Sequence, residues 1–220
     1  MSHENTIQVW DILVRIFHWS LVILFVIAYI SSEEEDIWHI YSGYTLLGLI
    51  TFRVLWGVIG TRHARFRDFV YSPGVVFKYI KGLSSNTRTH YVGHNPAGGW
   101  MIIALLVSLF VVSISGLKLY AVEKGRGPLA DSNTNLSIIN KAYADRNNNE
   151  EDDDDEYESD GNEQNNEKHE QEEEFWEEIH EVSTNITLLL IFLHIAGVLV
   201  SSKLHNENLM KAMITGKKKA

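Results

Sequence analysis

The sequence predicts an all-α fold, a four-helix bundle integral to a membrane. Three observations predict it. Four apolar runs, each about 19–25 residues, are long enough to cross a ~30 Å hydrocarbon layer as helices. The six tryptophans fall mostly near the ends of those runs, as an interfacial aromatic belt requires. The connectors between runs alternate in charge, acidic then basic then acidic, with a basic tail.

The first run, 12–30, is interrupted by Arg15 and His18, and the second, 37–59, carries His39 near its start and Arg53 near its end. The third, 100–120, is the cleanest, with Lys118 at its far edge, and the fourth covers 178–202. The bundle is therefore expected over 8–120 and 175–205. The start of the chain lacks a basic region and a small-residue cleavage site, so the first run is expected both to target and to anchor it.

Orientation follows from the connectors. SSEEED, after the first run, has no positive charge, whereas 60–99 carries Arg62, Arg65, Arg67, Lys78, Lys81 and Arg88 against Asp68 alone. The tail 206–220 adds Lys211 and Lys217 to Lys219. Positive segments stay inside, so 60–99 and both termini are expected to be cytoplasmic, with the acidic connectors outside. Within 60–99, Ser72-Pro73-Gly74 reads as a helix start, and VVFKYIKGL as a short interfacial helix. The outer connector, 121–174, becomes almost wholly polar from Asp145, and most of the net charge of −10 is here. Such a composition buries too little surface to offset its ordering entropy, and a largely disordered acidic loop is expected.

The histidines carry the chemistry. His180 and His194 are fourteen residues apart. On one helix that spacing ends within about 40° of four full turns and ~21 Å along the axis. His18 and His194 lie ~9–12 Å inside the cytoplasmic ends of their helices, whereas His39 and His180 lie near the outer ends. Four imidazoles thus fall at two depths, two at each. Two haems require this arrangement, each iron held on both faces by neutral imidazoles from facing helices. With no cysteine in the chain, covalent haem attachment and thiolate-held clusters are excluded, so two non-covalent b haems are expected. Zinc would need three or four ligands converging on one point, and these pair instead. Single histidines bonding backbone at helix ends are the structural alternative.

Gly43, near His39, and Gly197, near His194, leave room for a flat macrocycle, and Gly48 serves either that or helix packing. Arg53, fourteen residues past His39, repeats the spacing and should share its face. Arg53, with Arg15, is a candidate partner of haem propionates, the alternative for Arg53 being to snorkel to the interface. His94 opens HNPAGGW and has two readings, a turn former with Asn95-Pro96 or a contact to a quinone headgroup.

VWDILVRIFHW, WHIYSGYTLLGLITFRVLWGVIG, YVGHNPAGGW and EEIHEVSTNITLLLIFLHIAGVLVSS together resemble the bacterial cytochrome b-561 and nickel-hydrogenase b-type cytochrome family, over roughly 8–120 and 175–216. The resemblance implies a four-helix protein of the bacterial inner membrane with two bis-histidine b haems. It implies His18, His39, His180 and His194 as iron ligands, and electron transfer between the quinone pool and a partner. That partner would be a hydrogenase, another oxidoreductase complex or a periplasmic c-type cytochrome. The enlarged acidic segment around 131–174 departs from the family pattern on the face where a periplasmic partner would dock. Membrane lipid is the other expected partner, and no nucleic acid is. A quinol-oxidising subunit and a haem-free membrane scaffold are the alternative functions.

Overall fold

A computed structural model describes residues 6–32, 37–83, 91, 93–130 and 159–219, apart from the side chains at 6, 83, 159–166 and 219. The connector residues 33–36 and the most acidic stretch, 131–158, lie outside the described residues. Four helices are long and apolar enough to cross a membrane: α1 (Ile12–Ile30), α2 (Ile37–Ile59), α4 (Pro96–Lys124) and α5 (Ser159–His205). The short helices α3 (Pro73–Leu83) and α6 (Leu209–Thr215) and a 3-10 turn (Phe66–Asp68) complete the helical elements among the described residues.

Each boundary has a local cause. Asp11 caps α1, its Oδ1 accepting the Val14 N–H at 2.8 Å. Asn95 does the same for α4 by accepting the Gly98 N–H at 2.7 Å, with Pro96 at the first helical position, where its missing N–H costs nothing. α5 ends before Asn206, which adopts φ 52°, a left-handed conformation that asparagine tolerates. α6 is capped by Asn208, accepting from Lys211 N, and stopped by Gly216 at φ 80°.

The helix α5 differs from expectation. It begins at Ser159, so residues 159–174 are helical where composition predicts disorder. Composition measures whether a segment can nucleate its own fold. Here the acidic turns continue a long apolar helix, so the nucleation cost is already met and each added Glu, Gln or Lys propagates a turn readily. Acidic residues near the N-terminus also suit the helix dipole. α4 likewise extends beyond 100–120 at both ends.

The chain divides into two compact units, residues 1–110 with 185–220, and residues 111–184. In the first unit α1 packs on α2, and Phe17, Ile50, Leu106 and Leu109 form a core that joins both to the first half of α4. One stripe of α2 is buried: Ser42, Leu46, Ile50, Arg53 and Gly57, spaced three and four residues apart. Elsewhere the helices present apolar side chains outward, including Ile16 at 57%, Ile59 at 75% and Phe192 at 68% exposure. Lipid covers such surface in a spanning helix. The two chain ends also meet: strand β1 (Thr6–Gln8) pairs antiparallel with β2 (Lys217–Lys219), so both leave the membrane on one side. Val9, Trp10 and Ala212 form a small core beneath that pairing. The tail is thus a folded cap. Its signal, asparagine and glycine at the two ends of LMKAMIT, is present in the sequence.

The second unit holds the rest of α4 and the first part of α5. Ser115, at 1% exposure, is buried in it with Ala121 and Ser183.

Candidate functional site

In the first unit, His18 on α1 and His194 on α5 are close enough to interact electrostatically, and both rings are half-buried. His18 Nδ1 is closed to solvent and has no hydrogen-bond partner. A buried imidazole nitrogen left this way is costly unless a donor or a metal meets it. Phe17, the preceding residue, anchors α1 in the core and so fixes the helix that presents His18.

Arg53 is 3% exposed, so it does not snorkel to the interface. Its guanidinium stands over the rings of Phe66 (5.0 Å) and Phe69 (6.0 Å), while its second terminal nitrogen, Nη1, has no hydrogen-bond partner. The ring faces stabilise the cation but accept none of its N–H groups well. Phe69 reaches this position because position 99 is glycine: a Cβ there would stand 2.3 Å from the Phe69 carbonyl oxygen.

His94 lies between Trp10 and Phe69, with ring centroids 4.3 and 4.6 Å away. Its own edge remains half-buried, but Nδ1 is shut from solvent and unpartnered. Burial, reinforced by the positive charges of Arg53 and Lys218 and by His63 and His194, pushes its pKa down to about 3. At neutral pH it is an uncharged ring. Asn95 supplies the helix cap and His94 the aromatic packing, so this short motif does both structural jobs. The cap contributes here too: Trp10 N–H and Val9 N–H both donate to Gly216 O, and Lys218 pairs with Glu207 at 2.8 Å.

Asp11 ties the start of α1 to the end of α2. Its Oδ2 accepts from Trp56 Nε1 at 3.2 Å and from the Thr61 hydroxyl. Burial alone would raise its pKa, but the hydrogen bonds from Thr61, Val14 and Trp56 outweigh it and hold the carboxyl below the usual carboxylate range.

His39 and His180 are held differently. His39 Nδ1 lies 2.8 Å from Ala28 O on α1. A carbonyl can only accept, so this nitrogen carries the proton and Nε2 carries the lone pair. In the second unit, His180 Nδ1 lies 3.1 Å from both Val112 O and Ser115 Oγ. The Ser115 hydroxyl gives its own proton to Val112 O at 3.0 Å, so here too Nδ1–H is the donor. Gly116 makes room for the ring: a Cβ there would come 2.9 Å from His180 Cε1. Metal-binding histidines are oriented by such a bond from the other ring nitrogen. Val112, Ser115 and Gly116 were not singled out by the sequence, although a glycine after a buried serine on an apolar helix is a packing signal.

Arg15 has a different setting from Arg53. It donates through Nη1 to the Ile214 carbonyl at the end of α6, and its Nε is buried without a partner. A Cβ at Gly43, Gly48 or Gly197 would meet nothing within 4 Å, so each leaves open space beside its helix. Among the described residues, no three His, Cys, Asp or Glu side chains converge, as a zinc centre would require. The donor set instead fits haem: two imidazoles whose Nδ1–H is fixed by backbone carbonyls, a third with a buried, unpartnered nitrogen, and a buried arginine with an N–H to spare.

The family described as prokaryotic cytochrome b561 matches residues 9–216. The chain is 27% identical over 158 residues to the probable Ni/Fe-hydrogenase B-type cytochrome subunit of Azotobacter chroococcum, a match covering 58% of this chain and 65% of that protein. The corresponding protein of Azotobacter vinelandii gives the same identity and coverage. The chain thus matches less than two thirds of the length of these relatives. No solved structure matches it.

Proposed function

The chain belongs to the prokaryotic cytochrome b561 family, and from that premise we propose that it is a membrane electron carrier holding two b haems. His18 and His194 are the ligands of one haem. His39 and His180, matched by depth in the sequence, are the ligands of the other. When bound, each haem supplies a one-electron redox centre.

The observation that supports this best is the approach of His18 on one helix to His194 on another, with His18 Nδ1 closed to solvent and unpartnered. His18 and His194 bring nitrogen lone pairs from two helices, α1 and α5. Arg53 offers Nη1 to an anionic carboxylate such as a haem propionate, in a place where no water reaches it. Trp10 and Phe69 around His94 keep solvent from the same end of the bundle. The backbone carbonyls of Ala28 and Val112 hold His39 and His180 in the tautomer that an iron ligand needs.

Electrons pass between the quinone pool and an oxidoreductase partner of the hydrogenase kind, both chain ends being cytoplasmic by the positive-inside rule. A second reading makes the protein itself a quinol oxidase subunit. The unpartnered Nδ1 of His94 beside Arg53 favours it, since a quinone oxygen would suit both groups.

The test is a pyridine haemochrome count on the purified full chain, with a reduced-minus-oxidised spectrum. Two haems are expected per chain, and one each in His18→Ala and His194→Ala. A colourless protein, or a haem count indifferent to both substitutions, would overturn the reading. Quinol oxidation lost in His94→Ala at full haem content would favour the second reading.

A further inference from the structure

We propose that the groove between α1 and the tail helix α6 is a binding site for an anionic phospholipid, with Arg15 receiving the phosphate. An open groove of about 350 Å³ lies here, lined by Ile12, Ile16, Trp19, Ile23 and Ile214 with Arg15 among them. Its apolar walls are bare: Ile12, Ile16, Ile23 and Ile214 are 57–59% exposed. In a spanning helix such walls face acyl chains.

Charge decides which lipid. Arg15 is the one cation of the lining. It spends Nη1 on the Ile214 carbonyl, while its Nε–H is buried without an acceptor. The Nη1 bond fixes the guanidinium beside the groove, where the half-buried side chain is a lone cation among apolar walls, and a headgroup of net negative charge neutralises it as a zwitterionic one does not.

Depth agrees with the chemistry. Arg15 lies three residues into α1, ~4.5 Å from its start, at the level where headgroups end. Trp19 is one turn deeper, where amphipathic rings gather, and Ile23 one turn deeper again. Phosphate on Arg15, glycerol backbone near Trp19 and acyl chain along Ile16 and Ile23 follow in order. The leaflet is the one on the side of the paired chain ends, since α6 forms one wall. Arg15 is on this account no haem-propionate ligand, although the sequence offered it as one.

The experiment is native mass spectrometry of the delipidated, haem-loaded full chain, titrated with phosphatidylglycerol and separately with phosphatidylcholine. The expected result is one phosphatidylglycerol held at least ~10-fold more tightly than phosphatidylcholine. That preference should vanish in Arg15→Gln and be partly kept in Arg15→Lys. Because Arg15→Gln also cuts the bond to α6, Ser20, which also lines the groove, supplies a second variant: Ser20→Trp fills the groove, leaves that bond alone, and should lose the lipid with haem content unchanged. Equal retention of the two lipids overturns the proposal. So does phosphatidylglycerol retention untouched by both variants, or displacement of the lipid by inorganic phosphate alone. A loss of haem in Arg15→Gln with the lipid still bound overturns it as well.

Discussion

His180 and His18 occupy opposite situations. His180 sits against Gly116 with its Nδ1 on the Val112 carbonyl, and His39 is bonded in the same way to Ala28. His18 has a buried Nδ1 with no hydrogen-bond partner, and the buried Arg53 likewise has a nitrogen to spare. The first two rings are oriented by the polypeptide before any cofactor arrives. The third has no such bond at Nδ1. The residues proposed as haem ligands therefore differ: His39 and His180 are preset by backbone carbonyls, whereas His18 is not.

The largest effect should come from breaking the held ring. Gly116→Leu drives a branched side chain into the space of the His180 imidazole, where a Cβ alone already lies 2.9 Å away. Overpacking of this kind costs about 1–3 kcal/mol. It should abolish one haem, read as a pyridine haemochrome count falling from two to one. Ser115→Ala, which keeps the Val112 acceptor, should leave the count at two. Loss of no haem in Gly116→Leu would show that His180 is not preset by α4.

On the unheld side, Arg53→Leu removes the buried cation and its unpaired donor. A charge-assisted hydrogen bond contributes about 1.5–3 kcal/mol. Haem retention at the His18–His194 site should then weaken by roughly 10–100-fold, followed by transfer to apomyoglobin. The remaining haem should shift to a lower midpoint potential, because a positive charge that favoured the reduced state is gone. A substitution that left both unchanged would return Arg53 to a purely structural role over Phe66 and Phe69.

Much of this was legible in the chain. Run length gave four spanning helices, and helical spacing assigned Arg53 to the face of His39; in the structure Arg53 is buried in a stripe with Ser42 and Ile50. Backbone acceptors leave no such trace: nothing in the residue types Ala28 and Val112 says that their carbonyls hold imidazoles. The folding of the tail was written in Asn208 and Gly216, but a lysine-rich ending masks those caps. Residues 159–174 misled for another reason. Composition describes an isolated segment, whereas here the acidic turns grow from a helix that already exists.

His94 gives a smaller effect with a definite sign. Its pKa is near 3 in the fold against ~6.5 when unfolded, so below pH ~6.5 the unfolded chain binds a proton that the native state refuses. Stability from this group is present above that pH and declines as pH falls, by at most ~1.4 kcal/mol per pH unit. His94→Phe keeps the stacking with Trp10 and Phe69 and has no proton to bind. Its melting temperature should therefore fall less than the parent's between neutral pH and pH ~4.5. Parallel curves would mean that the ring is protonated in place, and that the aromatic sandwich admits water.

Asp11 should give the smallest effect, and one confined to stronger acid. Asp11→Asn retains an N-cap oxygen for Val14, but the amide nitrogen that replaces Oδ2 accepts from neither donor: the Thr61 hydroxyl can turn to accept from it, whereas the Trp56 indole N–H loses its partner. Asparagine caps about as well as aspartate, so the cost is that of one hydrogen bond, roughly 1 kcal/mol. Because the folded carboxyl titrates below the ordinary ~3.9, its stabilisation is intact above that value and disappears as pH drops through the lowered one. The gap in melting temperature between parent and Asp11→Asn should be constant from neutral pH to pH ~4, then narrow. A gap that already closes near pH 6 would mean that the folded carboxyl titrates above its ordinary value, with burial outweighing the hydrogen bonds from Thr61, Val14 and Trp56.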